Sequence, residues 1–122
     1  MADQSHVVWT EIPVTDMQKA MEFYNRVFGW ALTLDESGPD PMAVFPDGGT
    51  GVGGHLYPGA PGKGAGPTIH LGVPDGLEAA TERAQAAGAR VLHGPIGIPP
   101  GRFTYIEDPD GNSIGLFEPK AA

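Results

Sequence analysis

The sequence predicts an α+β fold made of two successive βαβββ modules. Strand-like and helix-like patterns follow one another in the same order in each half of the 122 residues. The residues that frame the two predicted helices are equally spaced, namely Val14, Asp16 and Gly29 in the first half and Val73, Asp75 and Gly88 in the second. A repeated unit of this size buries its sheet by pairing with its copy, so we expect the two modules to share a core.

The first module is predicted over about residues 6–57. Residues 6–14 (HVVWTEIPV) are β-branched and aromatic, which is typical of a strand with Pro13 at its end or on a sheet edge. Apolar residues recur at helical spacing over 17–28, between an Asp16 N-cap and a left-handed Gly29. Three further strands are predicted at 30–35, 42–45 and 52–57, the last after the turn PDGG.

The second module is predicted over about residues 68–118 and repeats this order. A strand at 68–73 precedes a helix over 77–87, with Asp75 as its cap and Gly88 at its end. A short strand is predicted at 90–93. Two more, at 103–107 and 113–118, are joined by the turn DPDGN, whose proline and glycine preset the turn geometry.

Glycine and proline mark the connections between these elements. The 19 Gly and 13 Pro are concentrated at 37–41, 46–54, 58–67, 94–101 and 108–111, which we interpret as turns. The segment 58–67 (PGAPGKGAGP) connects the two modules. It is either a plain flexible linker or a flap at the mouth of a pocket.

Charge and composition limit the partners. Seven basic against 15 acidic residues give a net charge of −8, which repels nucleic acid and anionic membranes. The chain has no cysteine, so disulfides and thiolate metal sites are excluded. The first residues lack the pattern of a signal peptide and no apolar run is long enough to span a bilayer. We therefore expect a soluble cytoplasmic protein.

Three stretches of the chain resemble the vicinal-oxygen-chelate superfamily. They are VVWTEIPVTDMQKAMEFYNRVFGW, HLGVPD and YIEDPDGNSIGLFEP. The superfamily includes lactoylglutathione lyases, extradiol dioxygenases, bleomycin-binding proteins and fosfomycin-modifying enzymes. The resemblance implies a single glyoxalase-like domain over residues 1–122, in which the modules form a curved mixed sheet with a cup-shaped face. It also implies a homodimer, because a half-barrel leaves an edge and an apolar face uncovered.

The resemblance also indicates where metal ligands occur in metal-dependent members. The first ligand position corresponds to Trp9, the third to His70 and the fourth to Gly115, while the second falls within 53–55. Only His70 retains a coordinating side chain among the three positions that align. The chain is therefore not expected to be a standard lactoylglutathione lyase.

A displaced site is a second interpretation of the same region. Glu11 lies two residues after Trp9, so both side chains share one face of the strand. Glu11, His70 and His55 are candidate ligands for Zn, Mn, Ni or Fe(II), with Glu11 and His70 as catalytic residues. The alternative is that no metal is bound and these residues are polar groups lining a pocket or, for His70, part of the core.

Aromatic and polar residues on the predicted strands are candidates for a small-molecule pocket. They are Trp9, His55, Phe103, Tyr105, Phe117 and Arg102. Aromatic residues at alternating strand positions are also common in an ordinary core, and an arginine after a loop is often simply solvated.

Three functions remain open from the sequence. The first is an enzyme that acts on a small oxygenated metabolite as a lyase, isomerase or dioxygenase. The second is a non-catalytic protein of the bleomycin-resistance type that sequesters a cationic drug-like molecule, consistent with the acidic composition. The third is a dimeric scaffold that retains no chemistry.

Overall fold

A computed structural model describes residues 9–46 and 52–120. Residues 6–8 of the first predicted strand, and all but the proline of the PDGG turn, lie outside the described residues. The elements in chain order are β1 (Trp9–Val14), α1 (Met17–Phe28), β2 (Ala43–Val44), β3 (Gly53–Pro58), β4 (Ile69–Gly72), α2 (Leu77–Ala86), β5 (Arg90–Ile98), β6 (Gly101–Glu107) and β7 (Ser113–Pro119).

The strands form two sheets of similar topology. One has the order β1-β3-β2 and the other the order β4-β7-β6-β5. In each half the opening strand pairs in parallel with the last strand, β1 with β3 and β4 with β7. The remaining pairs are antiparallel. This arrangement confirms the predicted α+β class and the curved mixed sheet.

Helix α1 begins and ends at the predicted residues. The Asp16 carboxylate accepts a hydrogen bond from the Lys19 amide, and Gly29 adopts the left-handed conformation with φ of 72°. The apolar stripe of the helix is buried, from Ala20 to Phe28. All the signals that define this helix lie within its own sequence.

Helix α2 is capped differently from the prediction, in which Asp75 is the cap. The N-cap residue is Gly76, which has no side chain with which to cap the helix. The Leu77 amide instead donates to the Glu118 carboxylate on β7 at 2.8 Å. The Asp75 carboxylate turns away and forms a two-pronged ion pair with Arg83. A cap from a distant strand leaves no local signature in the sequence.

The predicted strand at 30–35 is wrong. Within it only Asp35 makes a backbone pairing, an isolated bridge to Met42. The Leu32 amide donates to the Asn25 side chain at 2.7 Å, and the Trp30 ring stacks on Phe28 at 5.0 Å. The segment is therefore held against the end of α1. In the described residues the first half has three strands, and β2 keeps only two of the four predicted residues.

Strand β5 is longer than the predicted segment 90–93, and the Gly/Pro cluster at 94–101 is not a turn throughout. The strand continues to Ile98 and pairs along its length with β6. Register shifts between Val91 and His93, and again between His93 and Ile96, absorb the irregular residues. Only residues 99 and 100 turn the chain.

Both halves contribute to one core. The helices cover one face of the sheets, where alternate strand residues such as Ile12, Leu56, Ile114 and Leu116 are fully buried. The connector 58–67 is docked against the second half, because the Gly64 amide donates to the Gly111 carbonyl at 2.6 Å. No helix among the described residues is long and apolar enough to cross a membrane.

Candidate functional site on the open sheet face

The sheet face opposite the helices, called the open face below, carries most of the predicted site residues. Side chains alternate between the two faces of a strand. Because Ile12 and Leu56 point into the core, Glu11 and His55 point to the open face, where they are register partners. His70, between the core-packed Ile69 and Leu71, lies on the open face as well.

In the first half of the chain, Trp9 and His55 are joined by a hydrogen bond. The indole Nε1 of Trp9 donates to Nδ1 of His55 at 3.0 Å. An indole nitrogen can only donate, so Nδ1 of His55 is the acceptor in this contact. Glu11, His55 and Tyr57 line a cleft of about 430 Å³ beside the segment 39–42.

In the second half, His70 is surrounded by three aromatic rings. The imidazole centroid lies 4.9 Å from Phe103, 5.9 Å from Tyr105 and 6.3 Å from Phe117, and each ring meets the imidazole edge to face. These four residues are called the aromatic cluster below. The rings partly exclude water from the imidazole, and this desolvation lowers the pKa of His70 below 6.5. His70 is therefore neutral at neutral pH.

Arg102 is not brought together with the other predicted pocket residues. Phe103 and Tyr105 point to the open face, so Arg102 points to the helix side. Its guanidinium binds the Glu78 carboxylate at 2.7 Å and the Glu118 carboxylate at 3.0 Å. Both acids compete with any anionic group for this arginine.

The predicted metal ligands do not assemble into a site. Among residues 9–46 and 52–120, no three histidine or carboxylate side chains are close enough to hold an ion. Glu11 is beside His55 in the first half, whereas His70 is packed among rings in the second. A metal site needs at least three converging protein ligands. The donor set of the described residues therefore does not fit the predicted ion.

Two glycines belong to the site that the sequence analysis named only as aligned ligand positions, Gly115 directly and Gly53 within 53–55. Gly53 is the register partner of Trp9, and Gly115 is the register partner of His70. In each pair the ring leans over the glycine, so closely that a Cβ atom there would meet the ring. The available signal was the repeated combination of a ring on an opening strand and a glycine on the closing strand.

Comparisons with known proteins agree with this architecture. Residues 5–116 match the family model described as the Glyoxalase/Bleomycin resistance protein/Dioxygenase superfamily. A putative glyoxylase, CFP32, of Mycobacterium tuberculosis is 28% identical over an alignment of 120 residues that covers 90% of this chain and 44% of that protein. The chain thus spans less than half the length of that relative. A glyoxylase-like domain-containing protein of Didymella fabae is also 28% identical, over 87% of this chain and 88% of its own.

Solved structures show the same fold. TnmS3, an antibiotic binding protein from Streptomyces sp. CB03234, is 31% identical, with a TM-score of 0.66 over 98% of this chain and all of its own. The fosfomycin resistance protein FosX from Listeria monocytogenes has a TM-score of 0.68 over 98% of this chain and 96% of its own. Its identity of 17% informs on the fold alone.

Proposed function

Because this chain belongs to the glyoxalase/bleomycin resistance protein/dioxygenase superfamily, we propose that it binds an aromatic, antibiotic-like small molecule on its open face without transforming it. The observation that carries this proposal is the aromatic cluster of His70, Phe103, Tyr105 and Phe117. The likeness to an antibiotic binding protein, at 31% identity over nearly the whole chain, supports it.

The chemistry of the cluster suits a flat, largely apolar ligand. Ring edges and faces are both presented, and each aromatic contact contributes about 0.5–1.5 kcal/mol beyond the burial of area. A neutral imidazole adds a hydrogen-bonding nitrogen without the cost of desolvating a charge. The net charge of −8 favours ligands that carry a positive group.

The enzyme interpretation ranks second because, among the described residues, no third ligand joins its two proposed catalytic residues. Glu11 adjoins His55 and Tyr57 in the first half, and His70 belongs to the aromatic cluster in the second. Lyase, isomerase or dioxygenase chemistry of the metal-dependent type requires converging ligands and an open coordination position. The name of the CFP32 relative is the support that remains for an enzyme.

The binding proposal is tested by fluorescence titration with two flat tricyclic probes. One is 9-aminoacridine, a cation at neutral pH, and the other is acridone, which is uncharged. We expect saturable binding of one molecule per chain and recovery of the probe unchanged. His70→Ala and Phe117→Ala should each weaken binding about tenfold, which corresponds to ~1.4 kcal/mol. Leu34→Ala, which truncates an apolar side chain 41% exposed outside the cluster, is the matched control.

Absence of saturable binding for both probes would overturn the proposal. The enzyme alternative has its own measurement, the metal content after incubation with Mn, Fe(II), Ni and Zn. About one equivalent per chain, lost in both Glu11→Ala and His70→Ala, would place the metal-dependent enzyme ahead of the binding protein.

A further inference from the structure

We propose that Gly115 is the positioning residue for His70, and that the space left by its missing side chain is what allows the aromatic cluster to form. This inference rests on the proposed function, because the cluster is the binding surface. Gly115 itself would not contact the bound molecule. Gly115 acts only by leaving room for the His70 ring.

The contact between Gly115 and His70 is close. The two residues face each other across the parallel pair β4 and β7. A Cβ atom at position 115 would collide with Nδ1 of His70, and would lie 2.6 Å from its Cε1 and 2.8 Å from its Cγ. The imidazole thus occupies the volume that any other residue at this position would fill.

The backbone gives no separate reason for a glycine at position 115. Gly29 and Gly111 have positive φ, a conformation that side chains rarely adopt, but Gly115 does not. A glycine inside a strand weakens the strand, because it packs nothing and loses more conformational freedom on folding. The benefit of Gly115 is therefore the room that it gives the ring.

With an alanine at 115, the imidazole must rotate away from β7. Its staggered rotamers are few, and a change of rotamer takes the ring away from its present contacts. The edge-to-face contacts with Phe103 at 4.9 Å and Phe117 at 6.3 Å would be lost. The three remaining rings would then surround a gap.

The first half of the chain contains the same arrangement. Trp9 is the register partner of Gly53, and a Cβ atom on Gly53 would lie 2.9 Å from Cζ3 of the indole. An aromatic ring over a glycine therefore occurs once in each half, on equivalent strands. Because the arrangement occurs at equivalent positions in both halves, we interpret it as a feature of the open face and not as a chance rotamer of one side chain.

Gly72 supplies the matched control. It is on the same strand as His70 and is two residues along, so it points to the same face. A Cβ atom at Gly72 meets nothing within 4 Å. Gly72→Ala makes the same chemical change as Gly115→Ala without disturbing a ring.

The first experiment needs no ligand. The imidazole of His70 is titrated by NMR in the native protein, in Gly115→Ala and in Gly72→Ala. We expect the pKa of His70 to move up toward its ordinary value in Gly115→Ala, because the ring enters water, and to stay unchanged in Gly72→Ala. An unchanged titration in folded Gly115→Ala would overturn the positioning role.

The second experiment is a double-mutant cycle with the probe that binds the native protein more tightly. Gly115→Ala should weaken its binding about tenfold in the native background and less than about twofold when His70 is already alanine. Equal weakening in both backgrounds would overturn the inference, because it would show that Gly115 acts independently of the ring. If neither probe binds the native protein, the proposed function fails, and the NMR titration alone decides the positioning role.

Discussion

The hydroxyl of Tyr24 in α1 donates a 2.7 Å hydrogen bond to the Asp108 carboxylate, which belongs to the turn between β6 and β7. Both residues are buried, and they join the first half of the chain to the second. Asp108 also accepts hydrogen bonds from the amides of Asp110 and Asn112 and from the Asn112 side chain, which in turn donates to the Pro13 carbonyl at 2.8 Å. This buried network connects the two helix-covered halves beneath the open face.

Removing the Tyr24 hydroxyl should destabilise the protein. Tyr24→Phe leaves one acceptor position of a buried carboxylate without its partner, and we expect the free energy of unfolding to fall by about 1–3 kcal/mol. Chemical denaturation measures the change. Tyr57→Phe, which removes a hydroxyl from a half-buried tyrosine on the open face, is the control. Equal losses in both variants would show that the link to Asp108 adds nothing specific.

Asp108 should also make stability depend on pH. Burial raises the pKa of Asp108 above its ordinary value of 3.8, although hydrogen bonds from Tyr24 and Asn112 act in the opposite direction. Between 3.8 and the raised value, the folded protein binds more protons than the unfolded chain. Its free energy of unfolding therefore falls as pH rises through this window, and the loss is complete above it.

Urea unfolding between pH 3 and pH 7 tests this dependence against Asp108→Asn, which cannot titrate. The stability of the native protein relative to the variant should decrease as pH rises. A relative stability that increases with pH would mean that the hydrogen bonds outweigh burial and that the folded pKa is lowered.

Two glycines of β5 should respond differently to the same substitution. Gly94 has a φ of 137°, and a Cβ atom there would lie 2.8 Å from the Thr104 backbone, whereas one at Gly97 meets nothing within 4 Å. We expect Gly94→Ala to lower the free energy of unfolding by about 1–3 kcal/mol or more. Gly97→Ala should change it by less than about 0.5 kcal/mol. Thermal and urea denaturation of both variants measure these changes. Equal losses of stability would contradict the prediction and would indicate that β5 is a loose loop.

The homodimer expected from the sequence stays a prediction, and the open face is where we expect the chains to meet. Trp9 and Val44 are 46% and 39% exposed there. Light scattering should give twice the chain mass of 12.7 kDa. Val44→Lys should shift the protein toward monomer, because it introduces a charge into an apolar contact. Glu22→Lys, on the exposed side of α1, should not. A native monomer at all concentrations would contradict the prediction.

Local patterns in the sequence were sufficient to predict α1, the turn at 108–112 and the α+β class. The reason is that Asp16, the apolar stripe and Gly29 act within one helix, and the DPDGN turn is closed by its own residues. The same is true of strand alternation, which assigned Glu11 and Trp9 to one face of the strand. These features depend on neighbours a few residues apart, and the sequence alone determines them.

Tertiary structure decided the features whose partners are distant in sequence. Segment 30–35 packs against the end of α1 instead of pairing as a strand, and α2 is capped by Glu118 and not by Asp75. Arg102 binds two acids on the helix side, and the His70 ring lies over Gly115. In each case the short local pattern allowed more than one outcome, and the packing of the whole chain decided which contact formed.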